Sequence, residues 1–228
     1  MQKFQVALSL GTNCQSRYNI SKAVYERQGK NPSELVLGEN RKNVEDYGTF
    51  YFDWSITPIQ GLVKTLDAEF HGAFELENLE LCDEPNNKKS VVDNFNGLIY
   101  PHSFPGSNDG TLTELSLREL YPQLKNKFNY LADKTLETLC SNKEKLLICN
   151  FNEPTSAVLE LCNFVNQRYK NFKLILIPHN NRGLYDNGIK GKLSNFANVE
   201  VHEMPYSPYP GAYTDWKKIL DQYDFNIG

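Results

Sequence analysis

Lys145-Leu146-Leu147-Ile148-Cys149-Asn150-Phe151, then Thr155 to Tyr169, then Lys173-Leu174-Ile175-Leu176-Ile177-Pro178: this order of patterns decides the fold class. The two apolar runs are short and nearly unbroken, as strands buried on both faces are. Between them Val158, Leu161, Cys162 and Val165 recur at helical spacing, which makes one apolar stripe. A strand, a helix and a strand in succession form the crossover that joins parallel strands. Downstream, Ile189 to Ala197 reads as a short helix and Val199 to Met204 as another strand. A loop rich in Pro and Tyr, Tyr206 to Tyr213, then leads into a closing helix from Asp215 to Tyr223.

The N-terminus begins another such unit. In Phe4 to Leu10, Val6, Leu8 and Leu10 alternate with Gln5, Ala7 and Ser9, a strand pattern. Gly11-Thr12-Asn13 is a turn, and a helix runs from about Cys14 to Gln28, ended by Gly29. The expectation is an α/β fold in a single domain, 1–228, with a mostly parallel sheet and helices on both faces. Segments 4–10, 145–151, 173–178 and 199–204 should be neighbouring strands of that sheet.

The middle of the chain is less regular. Residues 31–48 are polar and read as a loop, and Phe50 to Trp54 form an aromatic cluster around Asp53. Pro58 opens a helix through Leu62, Leu66 and Phe70. Residues 75–96 are acidic and Asn-rich with little periodicity, while Leu98 to Phe104 suggest a short strand running into a loop. Residues 112–140 read as helix, broken in two because Pro122 suits a first turn better than an interior.

Apolar residues make up 40% of the 228 positions, enough for one core, and the formal net charge is −4. An acidic chain lacks the Lys/Arg excess that drives binding to nucleic acid or anionic membrane. No apolar run is long enough to span a bilayer. The N-terminal apolar stretch has no small-residue cleavage site after it. Cys14, Cys82, Cys140, Cys149 and Cys162 are odd in number and widely spaced, which suits a reducing, cytoplasmic setting better than disulfides. The four histidines show no close pairing with each other or with cysteine, so neither a metal nor another cofactor is expected.

Cys14 stands apart from the other cysteines because it follows a strand and a turn, at the first turn of a helix. Unpaired N–H groups there favour an anion, and so the reactive thiolate. They can also receive the oxyanion formed when a carbonyl is attacked, and Arg17 lies one turn on. The plainer alternative is that Asn13 caps the helix while Cys14 packs beneath it. A thiolate nucleophile needs an imidazole base, and the imidazole a group to orient it. His102, in Tyr100-Pro101-His102-Ser103-Phe104, and Asp53, in Phe52-Asp53-Trp54, supply those types. Gly11, Asn13 and Trp54 adjoin these groups as candidate substrate contacts. His179 joins them because it ends a parallel-type strand, where ligands of open α/β sheets gather.

Ser9-Leu10-Gly11-Thr12-Asn13-Cys14, Phe52-Asp53-Trp54 and His102-Ser103-Phe104 together resemble a bacterial family of unknown function described as papain-like cysteine peptidases. That family shows an SLG-x-x-C start, a PFDW segment, an H-x-F segment and a later helix leading into a strand, which Tyr121 to Phe151 is similar to. Tyr51 stands here in place of the family's proline. The resemblance implies Cys14 as nucleophile and His102 as base. It leaves open whether Asp53, or Asp109, Asn150 or Asn152, orients the imidazole.

The function expected is cysteine-dependent hydrolysis or acyl transfer on a small-molecule or peptide substrate. The alternative is an α/β module, noncatalytic or of different chemistry, that binds a phosphorylated or sugar-containing ligand at the same helix N-terminus.

Overall fold

In the computed structural model, residues 3–32, 50–178, 189–204 and 213–225 are described. The central sheet holds β2 (Val6–Ser9), β6 (Lys145–Phe151), β7 (Phe172–Pro178) and β8 (Val199–Val201), in the order β2-β6-β7-β8 with every pair parallel. These are the four neighbouring strands anticipated from the apolar patterns. The first is shorter than its alternation suggests, because the chain bends at Gln5. There the Gln5 N–H donates to Glu144 O at 2.8 Å, while the Glu144 N–H donates to Gln5 Oε1 at 3.0 Å. Lys3–Phe4 (β1) pairs instead with Asp224–Phe225 (β9).

Successive side chains of the central strands fall alternately into two apolar clusters. Leu8, Leu147, Cys149, Leu174 and Leu176 belong to one, and Ala7, Leu146, Ile148, Ile175 and Ile177 to the other. The second cluster includes Ile20 and Ala23 of α1 (Gln15–Arg27) and Trp216, Ile219 and Leu220 of α6 (Tyr213–Leu220). The first and larger cluster takes in Leu62 and Leu66 of α2 (Ile59–Asp67), Phe128 and Leu131 of α3 (Glu114–Cys140), and Val158, Leu161 and Val165 of α4 (Thr155–Arg168). The short α5 (Ile189–Leu193) adds Ile189 and Leu193 to it.

Two expectations for the middle of the chain need correction. Residues 75–96, read as irregular, contain β3 (Leu79–Glu84) and β4 (Lys88–Asp93), an antiparallel pair extended by β5 (Leu98–Tyr100). Little of β3 is buried beyond Leu79, so no apolar alternation marks it. The β3–β4 turn rests on Asn86 and Asn87, with φ of 63° and 58°, the left-handed region that Asn tolerates. Helix α3 is also one piece. Thr113 and Ser116 cap it reciprocally, and Pro122 sits inside it with its ring in an exposed position. The carbonyl that Pro122 leaves without an intrahelical donor belongs to Arg118, an exposed residue. Leu117 on one side of the proline and Phe128 and Leu131 on the other enter the same apolar cluster, so a break would undock one half.

The helix that follows the first strand is fixed by a buried ion pair. Arg17 Nε lies 3.4 Å from Asp53 Oδ2, with both side chains fully buried. The Phe50 N–H donates to the same oxygen at 2.7 Å. Burial pushes the Asp53 carboxyl up to about 6 against the pull of Arg17 and this N–H, which leaves it ionised at neutral pH. A carboxyl raised in the fold gives stability that is complete below its unfolded value, near 3.8, and is lost as pH rises through its folded value. Arg17→Met strands the carboxylate, so it should destabilise the protein at pH 7 by about 3–5 kcal/mol. The deficit should shrink toward pH 5, where Asp53 protonates. Urea unfolding of both proteins across that range checks the sign, and a deficit that grows on acidification would refute it.

Candidate functional site

Three chain segments converge at the carboxyl ends of β2 and β6. Gly11 to Cys14 lead from β2 into α1, Asn152 and Glu153 lead from β6 toward α4, and Pro101 and His102 follow β5. With Ile56 and Pro58, they form a cleft of about 550 Å³ lined by Thr12, Asn13, Cys14, Ile56, Pro58, Pro101, His102, Asn152 and Glu153. Cleft residues at the C-terminal edge of a parallel sheet are where an open α/β fold is expected to place a ligand.

The Cys14 turn is built by extending the sheet. Leu10 N–H donates to Ile148 O at 2.9 Å, and Thr12 N–H to Asn150 O at 3.1 Å, beyond the last residue of β2. The Thr12 hydroxyl donates to the same Asn150 carbonyl. The Asn150 side-chain amide donates to Gln15 Oε1, so one buried residue of β6 holds the turn on both sides of the cysteine. On the opposite flank, Thr57 N–H donates to Thr12 O at 3.0 Å. Gly11 has φ +85°, and a Cβ added to it would meet Thr57 Cβ at 2.7 Å. Glycine serves here both for its left-handed backbone and for the close approach.

Cys14 is the N-cap residue of α1 and is half-buried. Asn13 Oδ1 accepts the Gln15 N–H at 2.9 Å. Asn13 therefore caps this turn and also lines the cleft, so the two readings of it are compatible. That bond takes the Gln15 N–H out of the set of N–H groups at the helix start that could receive an oxyanion. Arg17, one turn on, pairs its guanidinium with Asp53, both side chains being fully buried.

His102 reaches the cleft through the small antiparallel sheet. Ile56 and Ile99 exchange backbone hydrogen bonds at 2.8 and 2.9 Å, which ties β5 to the segment before α2. Pro101 and His102 come directly after β5 and are half-buried. Glu153 closes the far wall, its carboxylate accepting the Ile59 N–H at 3.2 Å and the Asn152 N–H at 2.7 Å. That carboxylate joins the first turn of α2 to the end of β6 and suits the positive end of a helix.

The structure thus brings Cys14, His102 and Asn13 together and places Gly11 beneath them. It does not bring Asp53 or Trp54 to the cleft wall: Asp53 is buried against Arg17, and Trp54 is half-buried beside it in the chain. Asp53 Oδ2 is held by Arg17 and the Phe50 N–H, and Asp53 is not among the residues that line the cleft with His102. Of the other candidates for that role, Asn150 is turned to Gln15. Asp109 is exposed and held low in its titration by the Thr111 hydroxyl and N–H. Asn152 alone of the four lines the cleft. His179 lies outside the described residues.

Glu153, Ile56, Pro58 and Pro101 were not anticipated. Asn152-Glu153-Pro154 directly after a buried strand was the available signal, since a strand's carboxyl end is where polar residues meet a ligand. Cys149, Cys162, His71 and His202 are not among the residues that line the cleft. Burial pushes the Cys162 thiol up to about 12 and raises Cys149 well above its ordinary value. His71 is exposed. His202 contacts the Tyr223 hydroxyl at 2.8 Å and Glu200 at 3.1 Å, and burial lowers its pKa. Among the described residues, no group of three or more His, Cys, Asp or Glu is placed to hold a metal ion, and no helix is long and apolar enough to cross a membrane.

No family model, no curated protein and no solved structure matches this chain.

Two measurements probe the site directly. Brief iodoacetamide treatment at neutral pH, followed by peptide mapping, should label Cys14 faster than exposed Cys140 and far faster than buried Cys149 and Cys162. Labelling of Cys14 at or below the Cys140 rate would mean an unactivated thiol. Gly11→Ala should cost about 1–3 kcal/mol, the scale of forcing a side chain into a left-handed, crowded position. It should also slow Cys14 labelling, and an unchanged rate would separate the turn from the reactivity.

Proposed function

We propose that the protein is a cysteine-dependent hydrolase or acyl transferase acting on a small-molecule or peptide substrate, with Cys14 as nucleophile and His102 as base. The observation that carries this reading is that Cys14, at a helix N-terminus, and His102, from a distant segment, line one cleft. The resemblance of the Ser9–Cys14, Phe52–Trp54 and His102–Phe104 segments to the papain-like family agrees with it. The Cys14 thiol gives its proton to the imidazole, and the sulfur bonds to the substrate's carbonyl carbon. The bond from that carbon to the leaving group breaks as the imidazolium returns the proton to it. Water, or another acceptor, then attacks the thioester with His102 taking its proton, and the Cys14 thiol is regenerated. Asn152 is the cleft residue suited to orient the ring, and Glu153 to hold Asn152 through its N–H. Arg17 and Asp53 act behind the site by holding α1.

The same reading takes residues 1–228 as one domain with helices on both faces of the sheet, supported by the two apolar clusters into which alternate sheet residues fall. It takes the protein as cytoplasmic, supported by cysteines that the structure leaves unbridged.

Turnover of a panel of nitrophenyl esters and thioesters tests the mechanism. Cys14→Ala and His102→Ala should each lower kcat/KM by at least about a thousandfold, and the double variant should lose little more than either alone, because the two groups act as a unit. Asn152→Ala should lower kcat by about ten- to a hundredfold with a smaller effect on KM. If both single variants keep wild-type turnover, the turn is a ligand-binding feature and the hydrolase mechanism is wrong.

A further inference from the structure

The lining of the cleft is not polar throughout. Ile56, Pro58 and Pro101 stand there. Large apolar side chains are exposed at only three places among the described residues, Ile56, Leu115 and Tyr130, and Ile56 alone of these lines the cleft. Its outward position is not a loose one. The paired backbone hydrogen bonds with Ile99 clamp it, and Pro58, two residues on, restricts the backbone that follows it. An isoleucine held rigidly into a cleft, 38% exposed, keeps apolar surface in contact with water that a ligand could cover. The Glu153 carboxylate, bound to the Ile59 N–H next to Pro58, also lines the cleft and disfavours an anionic group.

We infer that the Cys14 site selects substrates whose acyl group is neutral and apolar, seated against Ile56, Pro58 and Pro101. This deepens the hydrolase reading and rests on it for the word substrate, but the apolar subsite exists whether or not Cys14 turns over. The acyl carbonyl meets the sulfur, and its carbon chain leaves the carbonyl toward Ile56, Pro58 and Pro101. A carboxylate at the end of that chain would face Glu153 or the apolar wall, and both are unfavourable.

The experiment uses a probe that needs no turnover. N-alkylmaleimides with ethyl, propyl, butyl and hexyl groups are reacted with the whole protein, and adducts at each cysteine are quantified by peptide mapping. In each case the thiolate adds across the ring double bond and solvent supplies the proton. The labelling rate at Cys14 should rise with chain length by up to about fourfold per methylene, the limit set by burying each methylene at about 0.8 kcal/mol. Exposed Cys140 in the same molecule should show no such trend. Ile56→Ser should flatten the rise at Cys14 and leave Cys140 unchanged, and 6-maleimidohexanoic acid should react with Cys14 more slowly than the hexyl reagent. Glu153→Gln should narrow that last difference. Equal chain-length dependence at Cys14 and Cys140, or a slope at Cys14 indifferent to Ile56→Ser, overturns the apolar subsite. Loss of the hydrolase reading would appear elsewhere, in ester turnover indifferent to His102→Ala, and would leave these slopes intact.

Discussion

The bonds between Thr12 and Asn150 hold the site to the scaffold. They continue the β2–β6 pairing past the end of the strand, so the turn that carries Cys14 is an extension of the sheet rather than a loop laid over it. Thr12, two places before Cys14, and Gln15, one place after it, are both tied to Asn150, which is itself buried in a fully buried strand. Rigidity at such a turn matters for chemistry, because a reacting group misplaced by even 1 Å loses much of its rate. The opposite side of the turn is braced by Thr57 against the side-chain-free face of Gly11.

Everything else at the cleft is positioned relative to that fixed turn. The antiparallel sheet acts through Ile99 and Ile56 to bring the chain after β5 alongside. Glu153 links β6 to α2 through two backbone N–H groups. The Arg17–Asp53 pair locks the first helix onto the aromatic segment, at a cost in desolvation that its ion pairing only partly offsets. Polar groups thus appear in the interior where two elements must meet in a set orientation. The bulk of the packing around them is left to leucine, isoleucine and phenylalanine.

The parallel sheet was legible in the sequence because its strands β2, β6 and β7 are buried on both faces, and Lys145 to Phe151 or Phe172 to Pro178 can hardly be read otherwise. The β3–β4 pair was not legible, since its residues are half in water and its turn is made by two asparagines with no glycine. Helix α3 misled for another reason: the local preference of Pro122 is outweighed by apolar contacts on both sides of it, which are tertiary. Cys14 and His102, which line one cleft, stand out in the sequence by their settings between strand, turn and aromatic neighbours. Asp53 was chemically suitable but has its partner in Arg17, and a sequence does not show which cation a buried acid meets. Ile56 and Glu153 contribute through side-chain direction and backbone hydrogen bonds, neither of which leaves a motif.

The Thr12–Asn150 contact spans 138 residues of chain, and it has a temporal side. During synthesis β2 leaves the ribosome well before β6, its hydrogen-bonding neighbour in the sheet. The small antiparallel sheet and the long helix α3 are made in between, from contacts nearer in sequence, and closing so large a loop adds an entropic delay. Cys14 therefore has no organised turn around it until β6 is available. A nascent chain holds its cysteine and histidine without the geometry that joins them, and completion of β6 is what turns two separate side chains into one site.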